Sequence, residues 1–203
     1  MKIDIKNRNK FSLFIGIVSV LWWLGVVYYW ISRGMPEHLL WTCDLALVLT
    51  GIGLILESPL LISSQFIGAF VIQLGWNLDF LPRFLFDIKT FGYTSYMFSE
   101  SKPFAERALS MMHVFLPFVL IYGVVKYGYH KKGWRLQACI AAAAYFLSYL
   151  TTSEADNTNW ILGPFWKRQE IMHPILYAVI LYLLTVFMYY LVHLIMKKFF
   201  VKE

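Results

Sequence analysis

The sequence predicts an all-α polytopic membrane protein with about six transmembrane helices and both termini cytoplasmic. Three observations predict it. Hydrophobic residues make up 59% of the 203 and aromatic residues 19%, with mean hydropathy +0.59, which is far from a soluble domain. The apolar residues fall in long runs separated by short polar stretches, so residues 1–203 read as one transmembrane domain with no soluble domain attached. Lys and Arg concentrate on alternate loops, as the positive-inside rule requires. The formal charge of +6 is then a topology signal and not a nucleic-acid footprint. Cys43 and Cys139 both lie within apolar runs, with neither a disulfide framework nor metal-type spacing.

Residues 1–10 are polar and basic. The apolar run after them is too long for a cleaved signal peptide and lacks a small-residue cleavage site, so residues 12–31 read as the first span. Trp22, Trp23, Tyr28, Tyr29 and Trp30 crowd its far half, an interfacial pattern. A loop with His38 leads to span two, residues 39–56, which carries Asp44 near its start. Glu57-Ser58-Pro59 is a tight turn, with the proline suited to open the next helix. Span three, residues 60–81, carries Gln65, Gln73, Asn77 and Asp79, so one of its faces must look into protein. The longest loop, residues 82–106, precedes span four, residues 107–127. Span five, residues 136–151, is alanine-rich and suited to close packing. Residues 152–172 form a second irregular loop, and residues 174–196 form span six.

Counting basic residues by side orients the bundle. Lys2, Lys6, Arg8, Lys10, Lys126, Lys131, Lys132, Arg135, Lys197, Lys198 and Lys202 fall on one side. Arg33, Arg83, Lys89, Lys102, Arg107, Lys167 and Arg168 fall on the other. The first group is larger and more clustered, so it is cytoplasmic. Asp44 and His113 then sit on the order of 8–9 Å below the outer boundary. Asn77 and Asp79 lie at the outer end of span three, and Asn157, Asn159 and Trp160 in an outer loop. The expectation is an outer-leaflet polar pocket walled by Asp44, Asp79 and His113, with Asn77, Asn157, Asn159 and Trp160 as ligand-binding candidates. Pro117 lies four residues after His113 and cannot donate to its carbonyl, so that carbonyl needs another donor.

Each group also has a structural alternative. Asp44 pairs with Arg83, Arg107 or His113 in that alternative, and Asp79 caps its helix or pairs with Arg83. Asn157, Asn159, Gly163 and Pro164 are turn residues. His38 and His130 are solvated, and His193 is interfacial. Asp44, Asp79, His113 and His173 are allowed metal ligands without diagnostic spacing, so neither metal nor cofactor is expected.

Two resemblances add expectations. Tyr96-Met-Phe98, Arg107 through His113 with Pro117, Gly128-Tyr129, and Asn157-x-Asn-Trp160 with Gly163-Pro164 resemble a family of uncharacterised bacterial six-helix integral membrane proteins. This implies the bacterial cytoplasmic (inner) membrane and no particular activity. More distantly, Thr42 at the start of span two and His113 before Leu116-Pro117-Phe118 resemble the androgen-induced intramembrane fatty-acid-ester hydrolases. That resemblance implies His113 as base and Thr42 as nucleophile. Thr42 and Asp44 are two residues apart and point roughly 200° apart on a regular helix. Ser110, three residues before His113, is therefore the alternative nucleophile.

Two functions stay open. One is a lipid or fatty-acyl ester hydrolase or acyltransferase, with His113 as base, Asp44 as its orienter, Thr42 or Ser110 as nucleophile, and Asn157 and Asn159 as oxyanion donors. The other is a non-enzymatic subunit, assembly factor or lipid-binding component of a membrane complex. Either takes membrane lipids as partners, and the second adds a protein partner. A transporter is disfavoured because the sequence shows no inverted repeat and no paired broken helices.

Overall fold

The structure is a computed structural model that describes residues 9–164 and 167–200. Lys2, Lys6, Arg8 and Lys202, used above for orientation, lie outside those residues. Among the described residues the chain is all-helical, with no strand. Seven α-helices follow in order: α1 (Lys10–Ser32), α2 (Thr42–Ile55), α3 (Pro59–Phe86), α4 (Phe104–Ser110), α5 (Met112–Tyr127), α6 (Gly133–Thr151) and α7 (Pro174–Phe200). Four segments are long and apolar enough to cross a membrane: α1, α3, the continuous stretch Phe104–Tyr127 and α7.

Local chemistry sets the ends. Asn9 Oδ1 accepts from Ser12 N at 3.0 Å and caps α1. Ser58 caps α3, and Pro59 occupies its first position as expected. The expected span four is divided at Met111. There Met111 N donates to Ala108 O and Val114 N to Met111 O, the tighter 3-10 pattern, and α4 gives way to α5. The start expected for span two divides as well: Pro36–Leu40 form a 3-10 turn, and α2 begins at Thr42. With 14 residues α2 rises only about 21 Å, well short of a hydrocarbon core of about 30 Å.

Helix α3 is the hub. It packs against α2, α5 and α6, while α1 lies along α2 and α7 along α6. Leu47 and Leu54 of α2, Ile62 and Ile67 of α3, and Leu116 and Leu120 of α5 are fully buried in one core. Burial falls outward from this hub, from 56% of the most apolar stretch of α3 to 11% for α7. The exposed surface of α7 is apolar, which suits lipid rather than water.

Glycines let α1 and α2 touch backbone to backbone. A Cβ on Gly16 would lie 2.8 Å from Gly51 O, and a Cβ on Gly51 would lie 2.9 Å from Gly16 O. Small residues at such a crossing allow the close approach by which helices associate in lipid. Between α3 and α6 the contact is polar: Gln65 Nε2 donates to Gln137 Oε1 at 3.2 Å.

Candidate functional site

The site grows from Pro117. Without an N–H at that position, the His113 carbonyl loses its helical donor. Asn77 of α3 supplies one instead: its Nδ2 donates to His113 O at 2.7 Å, and to Gln73 O at 2.8 Å. Four residues earlier on the same face, Gln73 Oε1 accepts from His113 Nδ1 at 2.5 Å. Between them Trp76 stacks on the imidazole, with ring centroids 4.8 Å apart and planes 16° apart. Gln73, Trp76 and Asn77 thus grip one residue of α5 from a single helical face. With Nδ1 donating, Nε2 carries the lone pair of the neutral ring.

The remaining predicted residues are distributed differently from the expected pocket wall. Asp79 is buried and closes the loop that follows α3. Its Oδ1 accepts from Phe91 N at 2.6 Å, from Gly92 N at 2.9 Å and from the Thr90 hydroxyl. Its Oδ2 accepts from Thr94 N at 2.7 Å and Thr94 Oγ1 at 2.8 Å. Five donors on one carboxylate make a clamp, and the expected pairing of Asp79 with Arg83 does not form. The Arg83 guanidinium instead lies 4.3 Å over the Phe98 ring.

Asn159 caps α2 from 117 residues away. Its Oδ1 accepts from Thr42 N at 3.0 Å, while its Nδ2 donates to Leu40 O at 2.7 Å and Ser148 Oγ at 2.9 Å. Asn157 stays within its own loop, donating to Gly163 O and accepting from Leu162 N, both at 2.9 Å. The backbone is left-handed at Asn157, Asn159 and Trp160, conformations that asparagine tolerates well and tryptophan poorly. The Trp160 ring faces Tyr93, with centroids 6.4 Å apart.

Asp44 stands apart. It is buried in the first turn of α2, 5% exposed, and its carboxylate has no hydrogen bond or ion pair to any described residue. None of the pairings expected for it, with Arg83, Arg107 or His113, is formed. Gln73 occupies the orienting position on His113 that the hydrolase reading gave to Asp44. Neither candidate nucleophile is bonded to His113. Ser110 Oγ donates to Glu106 O at 2.9 Å, and Thr42 meets the neighbouring loop through its backbone N–H. Tyr96, in the connection between α3 and α4, accepts from Trp76 Nε1 at 3.3 Å, and burial pushes its phenol up to about 12.

The four residues considered as metal ligands are not gathered. Asp79 is spent on its loop, His113 on Gln73, and His173 Nδ1 on the Ile175 N–H at the start of α7. Among the described residues, the donor set that does converge is Glu37, His38 and Asp156, with ligand atoms within 4.8 Å of one another. His38 is not the solvated residue expected: its ring lies against Trp30, with centroids 4.2 Å apart and planes tilted by 39°, and its Nε2 lies 3.3 Å from Asp156 Oδ1. The Ser153 hydroxyl holds the Asp156 carboxyl below the usual carboxylate range, and His38 acts in the same direction.

Trp76, Thr90 and Thr94 are residues that sequence reasoning missed, and Gln73 is read from sequence only as a sign that α3 faces protein, not as a partner of His113. Gln73 and Trp76 carry a readable signal, because with Asn77 they repeat at i, i+3 and i+4 in a span too polar for lipid. No family model, no curated protein and no solved structure matches the chain. The reading of the site rests on its geometry.

Proposed function

We propose that the chain is a six-span protein of the bacterial cytoplasmic membrane with both termini cytoplasmic, in which α2 crosses together with the Pro36–Leu40 turn before it and the 19-residue α6 supplies the fifth crossing, and that it binds rather than transforms. It serves as a non-enzymatic, lipid- or partner-binding component of a membrane assembly. One observation carries this reading. Asp44 is the buried outer-half carboxylate left without a partner, while Asp79, Asn77, Asn157 and Asn159 are all spent on holding the fold. An unpaired carboxylate at that depth is costly unless a ligand group meets it or a proton neutralises it. Helix α2 contributes a favourable N-terminal dipole to Asp44 but no second side chain.

The test compares wild type with Asp44→Asn after mild extraction, reading retained lipids and proteins by mass spectrometry and folding by thermal melting. A species retained by wild type and lost from a folded Asp44→Asn protein supports the assignment. An identical complement in both would overturn it.

A second reading, the acyl hydrolase, is favoured by one observation. Gln73 fixes His113 in the tautomer whose Nε2 can accept a proton, the state a general base requires. The hydroxyls of Thr42 and Ser110 are not bonded to that nitrogen, so the first reading is supported better.

A further inference from the structure

At the end of the bundle opposite Asp44, the α5–α6 connection, the first turn of α6 and the last turns of α7 line an open hollow of about 360 Å³. Lys131, Lys132, Trp134, Arg135, His193 and Lys197 line it. No carboxylate is in this lining, and none of its four cations forms an ion pair with a described residue. Charges gathered round a concavity without counter-ions repel one another, and an anion relieves that repulsion.

The hollow is built from a fixed wall. His193 is buried, and its Nδ1 is hydrogen-bonded to the Tyr129 hydroxyl at 2.7 Å. The Trp134 ring lies 6.0 Å from His193 and 5.4 Å from Tyr190. The Arg135 guanidinium sits 5.6 Å from the Trp134 centroid. Of the four basic residues, Arg135 is the one held against this wall. An apolar surface adjoins the charge. Tyr190, Leu194 and Lys197 follow helical spacing on α7, and Tyr190 and Leu194 are 42% and 44% exposed. A ligand with an anionic head and an apolar tail matches both halves, and a soluble anion matches only one.

We infer that this hollow is a binding site for an anionic phospholipid, with the phosphate among Lys131, Lys132, Arg135 and Lys197 and an acyl chain along the exposed face of α7. The site does not depend on the role proposed for Asp44. The basic-residue count puts the hollow on the cytoplasmic side, where anionic lipid attracts juxtamembrane cations.

Full-length protein in neutral detergent, titrated with phosphatidylglycerol or phosphatidylcholine and read by native mass spectrometry, tests the site. Wild type should retain phosphatidylglycerol in preference to phosphatidylcholine. Arg135→Gln and Lys197→Gln should each weaken that retention roughly fivefold, and the double variant more. Arg33→Gln with Lys89→Gln, on the opposite side, should leave retention unchanged. Raising salt from about 50 to about 500 mM should weaken it as well. Equal retention of the two lipids, undiminished binding in both single variants, or an equal loss in the outer-side variant would overturn the inference. Full competition by inorganic phosphate at matched concentration would overturn the lipid assignment and leave a phosphate site. Lys197→Gln removes exposed charge with no ring contact, so it keeps the test informative even if Arg135→Gln or the double variant does not fold.

Discussion

At the scale of single residues, Asp79 shows how a charged group is retained in a largely apolar chain. It is buried, yet five N–H and O–H donors from Thr90 to Thr94 satisfy its oxygens. Charge-assisted bonds of this kind are the strong ones, and removing the acceptor strands every donor. Asp79→Ala should therefore destabilise the protein by on the order of 3 kcal/mol in a denaturant titration. Limited proteolysis should cut first in the loop around residues 90–94. His113 illustrates the opposite case, a residue whose backbone matters as much as its ring. That its carbonyl would need a new donor is legible from Pro117 alone. That Asn77 would be the donor is not, because it depends on the rotation of α3 about its axis.

Among the helices, the crossing of α1 and α2 is set by two glycines. A Cβ at either position falls within 3 Å of the other's carbonyl oxygen. Gly51→Val should cost about 1–3 kcal/mol through forced separation. Gly75→Ala should be harmless, because a Cβ there meets nothing within 4 Å. Unfolding titrations of both variants in one detergent would check the contrast. Helix α2 depends on a second distant device, its cap by Asn159. Asn159→Ala should cost about 1–2 kcal/mol, read by thermal melting. Turn residues in Asn157-Thr-Asn159-Trp160 are legible in sequence, and the observed left-handed backbone bears that out. The reach of Asn159 to Thr42 is not legible, since nothing local records a partner 117 residues away. The division of the expected span four at Met111 escapes sequence reading for a similar reason. Ala108, Leu109, Met111 and Met112 are all good helix formers, and the tighter turn answers to packing.

Across the whole molecule, hydropathy makes the helical class and the four long apolar segments legible, because apolar run length is a property of the chain alone. The side-chain arrangement at the end of the bundle that holds Asp44 and Asp79 is less so. Its polar residues do meet there, but mostly as clamps and caps and not as the wall of an open pocket. The proposed topology predicts that Arg168→Cys, with Cys43 and Cys139 replaced by alanine, reacts with an impermeant thiol reagent in intact cells. Lys132→Cys should react only after permeabilisation. The claim that the protein binds rather than transforms is tested most directly by fluorophosphonate labelling of membranes holding wild type, His113→Ala, Thr42→Ala and Ser110→Ala. The account predicts no labelling of well-folded wild type above a membrane lacking the protein. Labelling that is lost in His113→Ala and in one of the two hydroxyl variants would contradict it and establish a nucleophile.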